Sequence, residues 1–197
     1  MAEQFVIADP HLSQLSMVTF AGQDGRPLRP WGRVDRDMSP QERERRTAEM
    51  DEAMVERWNA VVPATGAKVY VLGDVVMKKA ALPILARLNG KKKLIKGNHD
   101  ILKLKDYAPY FYDIAAYRIM DGLVMSHIPI HEESLKERWS ANVHGHLHDG
   151  RVMMPSPSPD LENVLNPRYL CVSVEHTDYA PISMDEVRKR IADQQGL

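Results

Sequence analysis

A chain of 197 residues is roughly one domain's length and long enough to bury a substantial core. With 44% hydrophobic and 27% charged residues its composition is that of an ordinary globular protein, and a net charge of −1 argues against a surface built throughout to grip nucleic acid, while leaving room for a local nucleotide site. The single cysteine, Cys171, excludes an intramolecular disulfide, and no run approaches 18 consecutive apolar residues, so the expectation is a cytoplasmic protein with no membrane partner.

In chain order, Phe5 to Ala8 reads as a first strand. Residues 12–38, punctuated by Gly22, Gly25, Pro27, Pro30 and Gly32, read as irregular. Ser39-Pro40-Gln41-Glu42 carries an N-cap serine, proline at the first helical position and glutamate at the third, which predicts a helix start. Met50, Ala53, Met54, Trp58 and Val61 give that helix one apolar face. Val69 to Leu72 is a second strand, and a short helix near 80–88 ends at Asn89-Gly90. Leu94-Ile95 is a third strand, approached by Lys91-Lys92-Lys93, whose lysines are expected to serve solubility. Asp113 to Met125 predicts a hairpin turning at Asp121-Gly122, and Glu132 to Arg138 a helix. Strands follow near 141–144, 151–154 and 169–174, with Cys171 at a buried strand position, and Ser183 with Glu186 caps a last helix. A parallel βαβ start and an antiparallel later part predict an α/β fold, one domain over residues 1–197, without internal repeat or linker.

The apolar runs share one property: each leads into a cluster of acid, imidazole or amide groups. Asp9-Pro10-His11 follows the first, Gly73-Asp74 the second, Gly97-Asn98-His99-Asp100 the third, His127 the fourth and Gly145-His146-Leu147-His148 the fifth. Ligands of open α/β sheets gather beyond the carboxyl ends of the strands, so these clusters converge on one rim. Carboxylate and imidazole without thiolate favour borderline-to-hard divalent ions, Mn²⁺ first, with Fe²⁺, Zn²⁺ or Ni²⁺ as alternatives. The Asp9 to His11 spacing fits a shared ion: residues i and i+2 of an extended segment point to the same side, so both heads can reach one ion. His146 and His148 repeat that spacing, which alone does not say whether they share an ion or bind two.

The five ordered motifs resemble the calcineurin-like metallophosphoesterase superfamily, whose pattern is D-x-H, G-D, G-N-H-[DE], a lone H, and G-H-x-H. Met50-Asp51-Glu52 running to Trp58-Asn59, and Pro181-Ile182-Ser183 before the last helix, resemble a small bacterial and phage branch of it. The resemblance implies two facing mixed β-sheets flanked by helices, and two divalent metal ions. It implies that Asp9, His11 and His148 bind the first metal, that Asn98, His127 and His146 bind the second, and that Asp74 bridges both. Such a pair of ions clamps a phosphoryl group and generates a nucleophile at neutral pH. The inferred reaction is in-line attack by metal-bound hydroxide on a phosphate ester, with a phosphodiester of nucleotide or nucleic-acid type as the leading substrate. A phosphomonoesterase, or a non-catalytic metal-dependent binding module, is the alternative. His99 is expected to face the substrate and protonate the leaving oxygen, with Asp100 orienting it.

Two stretches are candidates for setting specificity. The loop 12–38 carries Arg26, Arg29, Arg33 and Arg36 around Trp31, a combination able to hold phosphate and stack a base. Its alternative is an ordinary loop whose tryptophan plugs the core. The segment Met154-Pro155-Ser156-Pro157-Ser158-Pro159 is either a stiff flap over the metals or a solvated loop. His131, just beyond His127, is expected to line the pocket, whereas His144 is expected to end a strand. The oligomeric state is left open.

Overall fold

The computed structural model describes residues 2–34, 37–158 and 162–197, and Arg36 and Pro159 of the expectations above lie outside them. Eleven strands form within the described residues: β1 (Glu3–Ile7), β2 (Ala67–Val71), β3 (Lys91–Ile95), β4 (Asp113–Ala115), β5 (Tyr117–Met120), β6 (Leu123–Ser126), β7 (Ala141–His144), β8 (Met153–Met154), β9 (Val164–Leu165), β10 (Tyr169–Cys171) and β11 (Ile182–Ser183). The α-helices are α1 (Pro40–Val61), α2 (Leu104–Tyr107), α3 (Glu132–Leu135) and α4 (Met184–Gln195). One sheet has the order β11-β1-β2-β3-β4, a second the order β10-β7-β6-β5, and β8 pairs with β9 alone. This is a mixed α/β fold with sheets flanked by helices, as the motif pattern implied.

The period-2 alternation of the strands explains the layering. Phe5, Ile7, Val69 and Val71 point to one side of the first sheet and pack with Met50, Met54, Val55 and Trp58 of α1. The intervening Val6, Ala8, Tyr70 and Leu72 point the other way, into a core shared with Met125 and Val143 of the second sheet and with Val187 and Ile191 of α4. Both long helices start where the caps placed them: Ser39 Oγ accepts from Glu42 N at 3.1 Å and Ser183 Oγ from Glu186 N at 3.1 Å. The Asp121-Gly122 turn also forms, with φ of 52° and 76° at its two residues, the left-handed pair that a two-residue hairpin requires.

Several expectations need correction. The later part of the chain is mixed and not purely antiparallel: β6, β7 and β10 run parallel, while β5 opposes β6, β9 opposes β8 and β11 opposes β1. The stretch Lys79–Arg87 is 3-10 rather than α, with Pro83 in its interior, where proline has no N–H to continue an α ladder. The helix predicted over 132–138 is a single turn. Lys92 and Lys93 are not solvated but buried: Lys92 Nζ donates to the Leu88 carbonyl at 2.6 Å, and Lys93 Nζ pairs with Asp113 at 2.5 Å. Cys171 is buried on β10, where burial pushes its thiol up to about 11. No described helix is long and apolar enough to cross a membrane.

Candidate metal centre

The carboxyl ends of β1, β2, β3, β6 and β7 lie together, and the loops that leave them are laced by backbone hydrogen bonds. Asp9 N donates to Gly73 O, His11 N to Asp74 O and Gly145 N to His127 O, at 3.2, 2.9 and 2.9 Å. The backbone there is held in an uncommon form. Asp9, His11, Asp74, His146 and His148 all have positive φ, between 48° and 71°. Left-handed backbone at a non-glycine residue costs on the order of 1–3 kcal/mol and collects at functional sites. It also changes the reason Asp9 and His11 converge. They are not alternate residues of an extended strand; β1 has ended, and the turn itself swings both heads inward.

Glycines permit the close packing. A Cβ on Gly97 would sit 2.2 Å from Asp74 Oδ1, and one on Gly145 would sit 2.4 Å from Asp9 Oδ2. The Gly97-Asn98-His99-Asp100 and Gly145-His146-Leu147-His148 motifs therefore each need their glycine to admit a carboxylate belonging to another motif.

The donor atoms form two adjoining clusters. Asp9, His11 and His148 offer atoms within 4.8 Å of one another, as do Asp9, Asp74 and His127. Asp74 Oδ1 accepts from the His99 amide at 2.8 Å, which leaves Oδ2 lying 3.5 Å from His11 Nε2 and 3.4 Å from His127 Nε2. Asn98 Oδ1 lies 2.7 Å from His127 Nε2 and 3.0 Å from His146 Nδ1. Asp74 thus stands between an Asp9–His11–His148 cluster and an Asn98–His127–His146 cluster.

Whether these residues fit a metal is answered by two atoms. Asp9 Oδ1 and His11 Nε2 are buried, 4.0 Å apart, and neither has a hydrogen-bond partner among the described residues. Leaving such groups unpaired costs about 1–3 kcal/mol each. Ligands held about 2.0–2.2 Å from one ion are themselves roughly 3–4 Å apart, so the spacing suits a shared cation. The other side of each head is already occupied. Asp9 Oδ2 accepts from the His146 amide at 2.8 Å and from Ser173 Oγ at 2.7 Å. His11 Nδ1 meets Gln14 Oε1 at 2.8 Å, His127 Nδ1 the Leu72 carbonyl at 2.8 Å, and His148 Nδ1 Glu175 Oε1 at 3.2 Å. Outer partners of this kind fix the ring and direct Nε2 inward.

The electrostatics are those of a site short of positive charge. Burial pushes the Asp9 carboxyl up to about 6, against the pull of His127 and His148. Burial, aided by the Arg29 charge, holds the His11 imidazole down to about 3, neutral and ready to ligate. Burial also lowers His146. For His148 burial is outweighed by Glu175, whose hydrogen bond and charge raise it. Glu175 itself is buried, yet Arg29 and His148 bring it down to about 2.

Asp100 is fully buried, and both its oxygens are committed to backbone amides: those of Asp74, Val75 and Gly97, at 2.9, 2.9 and 2.8 Å. It clamps the two loops together, instead of orienting the His99 ring as expected. His99 is half-buried, its ring centroid 5.6 Å from that of His11.

The expected substrate residues separate. Arg29 is fully buried, donating to the Asp9 and Pro10 carbonyls at 2.7 and 2.9 Å and to Glu175 at 2.9 Å, so it braces the Asp9–His11 loop from behind and does not face solvent. Trp31 is half-buried with its ring against Tyr179 at 4.9 Å. Arg33 is exposed, as is Arg26 beside Asp24. His131 is exposed and caps α3, its Nδ1 accepting from Glu133 N at 3.2 Å. Residues 153–154 and 164–165 form the β8–β9 ribbon, with Met153 half exposed. Glu175, Gln14 and Ser173 are not marked by any sequence motif, and Asp51 stands out only within Met50-Asp51-Glu52, with no role attached. Asp51 accepts from both the amide and the hydroxyl of Ser13, at 2.9 and 2.8 Å, tying the loop after His11 to α1.

No protein-family model matches the chain. It is 27% identical over 198 residues to an uncharacterized protein of Methanocaldococcus jannaschii, MJ1445, across 97% of this chain and 92% of that one. The crystal structure of the Pseudomonas putida nuclease MPE aligns with a TM-score of 0.38 and 16% identity, over 74% of this chain and 60% of that one. The crystal structure of AQ665, a protein of unknown function from Aquifex aeolicus, aligns with a TM-score of 0.62 and 23% identity, over 96% of this chain and 99% of that one. The AQ665 fold is therefore this fold along nearly its whole length, and the chemistry must be read from the site itself.

Proposed function

We propose that this chain is a dinuclear-metal-dependent phosphoesterase that hydrolyses a phosphodiester of nucleotide or nucleic-acid type without a covalent enzyme intermediate. The observation that carries the reading is the buried, partnerless pair Asp9 Oδ1 and His11 Nε2, facing each other beside an Asp74 oxygen that lies between two nitrogen-and-oxygen clusters. Asp9, His11 and His148 would hold one ion, Asn98, His127 and His146 the other, and Asp74 both. When bound, two such ions polarise the phosphoryl oxygens and lower the pKa of water.

The chain's own residues supply the rest. Gln14, Glu175 and the Leu72 carbonyl fix the imidazoles, so little reorganisation accompanies binding. His99 has its backbone pinned to Asp74 and its ring free to meet substrate. It would donate a proton to the departing ester oxygen as the attacking water, having first lost one proton to solvent, bonds to phosphorus and the phosphorus–oxygen bond to the leaving group breaks. The test is hydrolysis of mono-, di- and cyclic phosphate esters by protein stripped with chelator and reloaded with Mn²⁺, Fe²⁺, Zn²⁺, Ni²⁺ or Ca²⁺, with metal content measured in parallel. Expected are close to two equivalents of transition metal and activity that depends on them; undiminished hydrolysis by the metal-free chain would refute the reading.

A further inference from the structure

A groove of about 1010 Å³ opens directly from the Asn98–His127 side of the candidate centre and runs between β5, β6 and the α3 segment. None of the residues first expected to meet substrate lines it. Its walls are unusual for an exposed surface: Tyr117 is 56% exposed and Ile128 52% exposed, and both face the groove together with Ile130 and the half-buried Trp139. Lys96, next to Gly97-Asn98 in the chain, and Arg138 both line the groove. Neither side chain has a carboxylate partner among the described residues, whereas Lys136 nearby is paired with Glu133.

We propose that this groove seats a nucleoside, and that the substrate is a phosphodiester with its phosphate at the candidate metal ligands and its base against Tyr117. This rests on the phosphoesterase reading and names the group that gives it specificity. The volume is at the upper end of the roughly 300–1,000 Å³ of small-ligand sites and too small for a duplex. An exposed aromatic ring in one groove with cations that have no carboxylate partner among the described residues is what a base and its phosphate require, the ring stacking the heterocycle and Lys96 meeting the nonbridging oxygens. A purely aliphatic arm would fit the apolar wall but would cover Ser134 and Glu137, side chains with no hydrogen bond of their own among the described residues. A base offers them N–H groups, and burying them unpaired is unfavourable.

The test compares two esters with the same leaving group, thymidine 5′-(4-nitrophenyl) phosphate and methyl 4-nitrophenyl phosphate, on the Mn²⁺-loaded full chain. The nucleoside ester is expected to have the higher kcat/KM by roughly 5- to 100-fold, mostly through KM. Tyr117→Ala should bring that ratio close to one, and Tyr117→Phe, which keeps the ring, should preserve it. Because the readout is a ratio within one preparation, partial loss of folded protein does not mimic the effect. Equal kcat/KM for the two esters, or an unchanged ratio in Tyr117→Ala, would overturn the groove assignment while leaving the phosphoesterase reading intact. If neither ester is hydrolysed, the phosphoesterase reading fails, and calorimetric titration with thymidine 5′-monophosphate decides the groove separately. Binding that Tyr117→Ala weakens at least roughly fivefold supports it; absent or unaltered binding overturns it.

Discussion

The two halves of the candidate centre are built differently. Around His11 and His148 the protein is closed: Gln14 and Glu175 hold the rings, Arg29 lies fully buried behind them, and Asp51 ties down the following loop. Around Asn98 and His146 it is open: Asn98 is exposed, His146 is half-buried, and among the described residues these two heads hydrogen-bond only with each other and His127. The closed half resembles a frame that fixes geometry through a buried ion pair. The open half borders the groove, which Asn98 and His127 line. The buried charge and most of the left-handed backbone are thus concentrated on the side away from the groove, so the two halves should fail in different ways.

Loss of the shared residue should break both halves at once. Asp74→Asn removes charge from the oxygen lying about equally close to His11 and His127, and both metal equivalents and hydrolysis should fall to the level of the metal-free protein. Retention of one full equivalent by elemental analysis would mean that Asp74 belongs to one half only. His99 sits between the halves and should affect chemistry alone. His99→Asn is expected to lower kcat by roughly 10²–10⁴-fold on alkyl or nucleoside leaving groups and far less on nitrophenolate, which departs without a proton. Bound metal should not change; its loss would place His99 among the ligands.

Glu175→Gln addresses the closed half. It retains size and one acceptor but not the charge that answers Arg29 and steadies His148, so one metal equivalent should weaken by about 10–100-fold while the other keeps its affinity. Equal weakening of both would show that the halves are not independent. The smallest effect is a pH dependence. The Asp9 carboxyl, at about 6 instead of 3.8, is protonated in the folded metal-free chain at pH values where the unfolded chain has already lost the proton. The metal-free protein should therefore be most stable below about pH 4 as far as this group is concerned, and should lose that contribution as pH rises to about 6. Metal binding needs the carboxylate, so Mn²⁺ affinity should fall about tenfold for each pH unit below about 6. Calorimetric titrations from pH 5 to 8 check this, and a flat profile would remove Asp9 from the ligand set.

Much of this was legible in the sequence because it depends on residues close in the chain. The serine caps of α1 and α4, the Asp121-Gly122 turn and the alternation in β1 and β2 are local preferences of the backbone, and they formed as the spacing predicts. The order of the acid and histidine clusters was legible for the same reason: each stands at the end of an apolar run, and strand ends in such sheets meet at one rim. What the sequence did not determine is whatever depends on a distant partner. Arg29 looked like a phosphate ligand because its context is a polar loop, but it meets Glu175, 146 residues away, and is buried by it. Lys92 and Lys93 looked solvated because lysine usually is, until Asp113 and the carbonyls near Leu88 gave their charges partners inside. The parallel pairing of β6, β7 and β10, the left-handed turn that aims Asp9 and His11, and the groove beside Asn98 belong to the same class. A buried charge or strained turn is unfavourable alone and persists only because the surrounding tertiary structure compensates it, so no local pattern announces it.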